Sequence, residues 1–122
     1  MSKKKETIDE IIENWKKQLR KGTLELAILS FIKKSDSDSY GYLLIKTFND
    51  SGIATDGSTI YPLLRRLNKK GLIKVIKKKV ETEKEKNYFK ITEIGIKVLE
   101  ELKSEWSTYF SNINHFIKNG GS

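Results

Sequence analysis

Ser58, Thr59, Arg65, Arg66, Lys69 and Lys70 fall within one short stretch, STIYPLLRRLNKKGLIK, at residues 58–74. Hydroxyls and permanent cations at this density do not make or break bonds; they donate hydrogen bonds to anions. Arginine adds a second capacity, because its guanidinium can place two parallel hydrogen bonds on the edge of a guanine. Between these residues stand Ile60, Leu63, Leu64 and Leu67, at the three-to-four spacing of a helix with one buried face. The segment therefore reads as a helix that packs on one side and offers the other to a polyanion. Asp56 sits where an N-cap belongs and Gly71 where a left-handed C-terminal cap belongs. Pro62 removes one backbone bond, so a distorted first turn is expected. The free amides of the helix N-terminus offer a further phosphate contact.

The residues around this helix extend its charge. From Arg65 to Lys86 the basic residues are Arg65, Arg66, Lys69, Lys70, Lys74, Lys77, Lys78, Lys79, Lys84 and Lys86, against Glu81, Glu83 and Glu85. Strand-forming residues lie at 72–76 and 87–92, with the charged run KKKVETEKEK between them, so a hairpin with an exposed tip is expected. The glutamates argue against a tip deep in a narrow groove. Lys77, Lys78 and Lys86 at its base are the better candidates for phosphate contact. Of Tyr40 and Tyr42, which flank Gly41, Tyr40 is expected to be the exposed one, with its hydroxyl available to a phosphate.

What must position these groups is a single domain. The chain has 122 residues, 37% hydrophobic and 33% charged, with a formal net charge of +8, which suits a folded domain with an anionic partner. It has no cysteine and one histidine, His115. With no glycine-rich phosphate loop and no clustered acid, base or nucleophile, neither an enzyme nor a cofactor nor a metal site is expected. No apolar run approaches the roughly 18 residues that span a bilayer. The start, SKKKETIDEI, lacks the apolar core of a signal peptide. A cytoplasmic protein without a membrane partner is the expectation.

Thr7 and Glu10 have capping-box spacing, and Ile8, Ile11, Ile12, Trp15 and Leu19 recur behind them with helical period. Gly22 is expected to bend or break this helix before a second, nearly all-apolar run, Leu24 to Ile32. KKSDSDS reads as a loop, Ser39 as the N-cap of a helix carrying Tyr42, Leu43, Ile45 and Phe48, and NDSG as its end. Thr92 caps a last helix with a stripe of Val98, Leu99, Leu102, Trp106, Tyr109, Phe110, Ile113, Phe116 and Ile117. The closing NGGS reads as frayed.

The order is helix, helix, helix, helix, hairpin, helix: a mainly α fold with a two-stranded β-hairpin wing, the winged helix-turn-helix order. Its expected parts are a disordered basic N-terminus (1–6), the winged helix-turn-helix domain with its N-terminal helix (7–92), a C-terminal dimerisation helix (93–118) and a disordered tail (119–122). The apolar stripes of the first and last helices exceed what one small domain can cover. A homodimer is expected through Ile8, Ile11, Ile12, Trp15, Leu99, Leu102, Trp106, Tyr109, Phe110 and Ile113. Two-fold pairing would present two reading helices to a palindromic duplex. Trp15 and Trp106, with Phe110, form a candidate site for a small aromatic effector, although a tryptophan on such a stripe is more often interface core.

QLRKGTLELAILSFI, SYGYLLIKTF, STIYPLLRRLNKKGLI and NYFKITEIGIKVLEELKSEW, in that order, resemble the PadR family of bacterial and archaeal transcriptional regulators over about Gln18 to Trp106. The resemblance implies a winged-helix dimer that represses transcription by occupying operator DNA. It places Thr59, Tyr61 and Arg65 on the DNA-reading helix and Tyr40 at a helix start near phosphate. Some members release DNA on binding phenolic acids or flat hydrophobic drugs, and Trp106 in KSEW matches a tryptophan that stacks on ligand in the multidrug-sensing branch. The wing departs from the family pattern, with VETEKEKN in place of glycines and consecutive arginines, and Gly57-Ser58 stands where Pro-Gly is common. The expected function is a sequence-specific transcriptional regulator contacting DNA through Tyr40, Ser58, Thr59, Tyr61, Arg65, Arg66, Lys69, Lys77, Lys78 and Lys86, a repressor released by a small aromatic effector. The alternative is a basic module that binds nucleic acid without sequence preference, or a protein partner, and has no effector.

Overall fold

The N-terminal apolar periodicity does not stop at Gly22. In the computed structural model, which describes residues 5–35, 39–78 and 86–121, a single helix α1 runs from Ile8 to Ser35. One expected break is therefore absent. An isolated glycine costs an exposed helix about 1 kcal/mol relative to alanine, and the turns beyond it are anchored by Leu24, Ile28, Leu29 and Ile32, all buried. Thr7 caps the helix as expected: its hydroxyl accepts from the Glu10 amide at 3.1 Å and contacts the Glu10 carboxylate at 3.2 Å.

After α1 come α2 (Gly41–Asp50), α3 (Gly57–Lys69), strands β1 (Ile73–Lys78) and β2 (Lys86–Ile91), and α4 (Glu93–Asn119). The strands form an antiparallel pair in which Ile73 faces Ile91 and Val75 faces Phe89. Just before α2 the chain adds an isolated bridge on the other side of β2. Tyr40 bridges to Tyr88, and the Phe89 amide donates to the Ser39 carbonyl at 2.7 Å. Ser39 is consequently not the N-cap of α2. Its side chain is buried, its hydroxyl reaches the Ile32 carbonyl at 3.4 Å, and Tyr40 occupies the cap position without a side-chain hydrogen bond.

The core is drawn from every element: Ile28, Leu29 and Ile32 of α1, Leu44 and Phe48 of α2, Ile60, Leu64 and Leu67 of α3, Ile73 and Phe89 of the hairpin, and Leu99 of α4. Each such side chain contributes about 1.5–3 kcal/mol on burial. Leu44, not Leu43 or Ile45, is the fully buried leucine of α2. Leu63 is the half-buried edge of the α3 stripe.

Thr92 caps α4, accepting from the Gly95 amide at 3.0 Å and donating to the Gly71 carbonyl at 2.7 Å. Gly95 is required at this junction. A Cβ there would lie 2.0 Å from the Leu72 carbonyl oxygen, so any side chain would push α4 off the hairpin. At its far end α4 runs through Asn119, and Gly120 closes it in the left-handed conformation, φ 60°. The helix thus continues past residue 118, where a tail was expected. Residues 1–4, residues 36–38 of the expected loop, residues 79–85 of the expected tip with Lys79, Lys84 and three glutamates, and Ser122 lie outside the described residues. No helix among the described residues is long and apolar enough to cross a membrane.

Candidate nucleic-acid interface

The geometry of α3 begins one loop earlier. The Asn49 side chain at the end of α2 accepts from the Thr55 amide at 3.1 Å and donates to the Thr55 carbonyl at 2.9 Å. This grip delivers Asp56 to the cap position, where its carboxylate accepts from the Thr59 amide at 3.1 Å and from the Ser58 hydroxyl at 2.6 Å. The Ser58 bond first, and then the Thr59 amide, hold the Asp56 carboxyl below its ordinary range. A fixed negative charge therefore occupies the start of α3. Of the amides expected to be free for a phosphate, that of Thr59 is already taken. The proton of Ser58 is committed to Asp56, which leaves its oxygen to accept rather than donate.

With about 3.6 residues per turn, Ser58, Pro62, Arg65 and Lys69 lie opposite the buried Ile60, Leu64 and Leu67, and all four are exposed. The flanks of this outer face differ. On the side of α2 and the wing lie Tyr61 and Asn68, which with Arg65 line a groove of about 500 Å³ floored by Leu64, Val75 and Phe89. The Tyr61 ring is seated between two glycines. A Cβ on Gly41 would stand 2.6 Å from the ring and one on Gly57 at 3.0 Å, so both backbones approach it as closely as only glycine allows. On the side of α1 lie Thr59 and Arg66, in a second groove shared with Lys17, Arg20 and Lys21. Arg66 ion-pairs with Glu25 of α1. Of the two adjacent arginines, Arg65 faces the open groove and Arg66 ties α3 to α1.

The wing base is built by aromatic packing. Tyr40 and Tyr88 meet edge to face at 5.4 Å. The Lys86 ammonium sits 4.7 Å from the Tyr40 ring centre and that of Lys78 4.9 Å from Tyr88. Such contacts hold a lysine at a defined place. Lys77 is exposed on the strand face that carries Val75, opposite Asn87. The expected exposure of the tyrosine pair is reversed: Tyr42 is 67% exposed, whereas Tyr40 is half-buried under Lys86. Tyr40 still lines the groove beside Arg65 and Tyr61.

Asn68, Asn87 and Tyr88 escaped sequence reasoning. Asn68 lies on α3 one turn beyond Arg65, whereas Tyr88 is tied to the site by the pairing of the residue-40 segment with β2.

The expected dimer residues divide. Ile8, Ile11, Ile12 and Trp15 of α1 and Trp106, Tyr109, Phe110 and Ile113 of α4 are exposed. Leu102 is half-buried against the core, and Leu99 is 0% exposed within the single chain. Leu99 is therefore core, not available surface. Trp106 and Phe110 stack, with ring centres 5.6 Å apart, and Trp106 lines a groove of about 590 Å³ with Leu19, Arg20 and Ile53. Trp15 lines none of the grooves described.

Residues 28–101, which include the turn, the outer face of α3 and the wing base, match the transcriptional regulator PadR-like family. The chain belongs to that family. A PadR family transcriptional regulator of known structure from Eggerthella lenta is 31% identical, with a TM-score of 0.80 over 91% of this chain and 96% of its own. A PadR-like transcriptional regulator from Bacillus cereus is 33% identical, with a TM-score of 0.75 over 84% of this chain and 98% of its own. An uncharacterised protein of Lysinibacillus sphaericus is 29% identical over 101 residues, 80% of this chain and 91% of its own. The arrangement above is accordingly the DNA-binding winged helix of a PadR-family transcriptional regulator.

Proposed function

We propose that this PadR regulator is a cytoplasmic repressor that binds a palindromic operator as a homodimer and releases it when a small aromatic effector binds. The observation that carries the reading is the two-faced α3: Ile60, Leu64 and Leu67 are buried while Ser58, Arg65 and Lys69 stand exposed on the opposite side. The outer face enters the major groove, with Arg65 and Lys69 on bases or phosphates. Tyr61, seated by Gly41 and Gly57, and Tyr40 approach the backbone on one rim, with Lys77, Lys78 and Lys86 following it at the wing base. Thr59 lies on the other rim. Arg66 contributes mainly by holding α3 to α1 through Glu25.

Dimerisation is supported by the exposed stripe on both long helices, from Ile8 to Trp15 and from Trp106 to Ile113. Monomeric soluble proteins rarely leave so much contiguous apolar surface to water. In this reading residues 7–92 form the winged-helix domain and α4, which runs to Asn119, is the dimerisation helix. The effector reading is supported by the Trp106–Phe110 stack, which offers an indole face to a flat ring, Trp15 joining from the partner copy.

Nuclease footprinting on the region upstream of the gene, with scrambled competitor DNA, tests the proposal. Two protected half-sites one helical turn apart, about 10 bp, are the expected result. Protection without sequence preference would replace the repressor with a non-specific basic module.

A further inference from the structure

Three cations of α1 have no place in the DNA contacts described so far. Lys17, Arg20 and Lys21 occupy one helix face at i, i+3 and i+4, and none of them has a carboxylate partner among the described residues. No acidic residue lies between Asn14 and Leu24, so nothing on this stretch offsets them. Helical rotation sets Lys17 and Lys21 opposite Trp15 and Leu19, on the side that continues downward into the buried Leu24, with Arg20 at the border, where it also lines the Trp106 groove. If the Trp15 stripe pairs with a second copy, this basic face therefore stays open.

Its location is informative. The three cations share a groove with Thr59, Pro62 and Arg66 of α3, on the flank of the reading helix away from the wing. The Asp56 carboxylate in that groove is spent on Ser58 and Thr59, and the Glu25 carboxylate outside its lining on Arg66. Both acidic groups are thus internally satisfied, and the three α1 cations carry the remaining charge. A helix lying in the major groove has a phosphate rim on each side. The wing base brings its lysines to one; the other has so far only the Thr59 hydroxyl.

We propose that Lys17, Arg20 and Lys21 form a second phosphate-binding surface, which holds the duplex backbone on the α1 side of the reading helix. The reading head is then a two-sided clamp. This surface carries no sequence information; it fixes register and lengthens the contacted duplex on the side distal to the wing. The inference rests on the operator-binding reading above.

The test is operator binding over a potassium chloride series by wild-type protein and by the triple variant Lys17→Ala, Arg20→Ala, Lys21→Ala. Every phosphate that the protein no longer neutralises lowers the slope of log affinity against log salt by about 0.9, so the triple variant should be shallower by roughly 2–3 per reading head. Its preference for operator over scrambled duplex should not change. The charge-retaining variant Lys17→Arg, Arg20→Lys, Lys21→Arg should keep the wild-type slope. A wild-type slope in the neutralised protein overturns the clamp and leaves the reading helix standing, whereas a wild-type protein that shows no operator preference removes both. Hydroxyl-radical footprinting of the wild type alone is the second readout. Sugar protection beyond the half-site on the wing-distal side supports the clamp, and protection confined to the wing side overturns it.

Discussion

The middle of the molecule and the far ends of its two long helices are built from the same kinds of residue at the same helical spacing, yet they meet opposite fates. Ile28, Leu29 and Leu99 are 0% exposed, while Ile12 is 46% and Phe110 52% exposed. Periodicity alone does not distinguish them. What does is whether another element of the same chain lies alongside: α1 and α4 pack on each other, α1 also on the hairpin, and both share one buried core with α2 and α3. Beyond that reach, the apolar stripe continues without cover. An apolar helix face shows that something must pack there, and the rest of the fold decides whether that is the chain itself.

Substitutions sharpen this contrast. Leu29→Ala should have the largest effect, lowering unfolding free energy by about 2–5 kcal/mol in urea titration, because it opens a cavity in a packed core. Gly95→Ala should cost about 1–3 kcal/mol through the clash with the Leu72 carbonyl, read as a lower melting temperature. Phe110→Ser with Ile113→Ser should leave the unfolding of dilute protein almost unchanged. The same pair should turn a concentration-dependent sedimentation coefficient into that of a monomer. A core-sized loss of stability at every concentration would mean that these side chains are covered within one chain.

A smaller effect is expected at the start of α3. Because the Asp56 carboxyl titrates below its ordinary value near 3.8 in the folded protein, its contribution to stability is complete above that value. The contribution is lost as pH falls through the lowered value. Asp56→Asn should keep the cap geometry yet flatten the acid limb of the stability profile, measured by thermal melts between about pH 2 and 6. An unchanged acid limb would show that the carboxylate's bonds to Ser58 and Thr59 do not differ between folded and unfolded chains.

Much of the fold was legible because its signals are local. Asp56 and Thr92 cap the helices they were expected to cap. Gly71 ends α3 with φ 80°, and the strand-favouring Val75, Ile76, Tyr88, Phe89 and Ile91 yield the wing. The misreadings have a common physical origin in interactions between residues distant along the chain. Gly22 looks like a breaker until the core anchors on its C-terminal side are considered. Ser39 looks like a cap until β2 claims its carbonyl. Arg66 looks equivalent to Arg65 until Glu25 arrives from α1, and Leu99 looks like interface until the core of the same chain covers it. Tyr40 lies under Lys86 because of a bridge to Tyr88 that no local pattern encodes.

The central claim is that the outer face of α3 reads DNA while its neighbours hold it in place. The most direct test compares Arg65→Ala with Arg66→Ala for binding to the footprinted operator and to a scrambled duplex. Arg65→Ala should weaken operator binding by about tenfold or more, a loss of roughly 1–3 kcal/mol, and narrow its margin over scrambled DNA. Arg66→Ala should keep that margin and show a lower melting temperature. Equal losses from both on both duplexes would contradict the claim, leaving two adjacent arginines as undifferentiated positive charge.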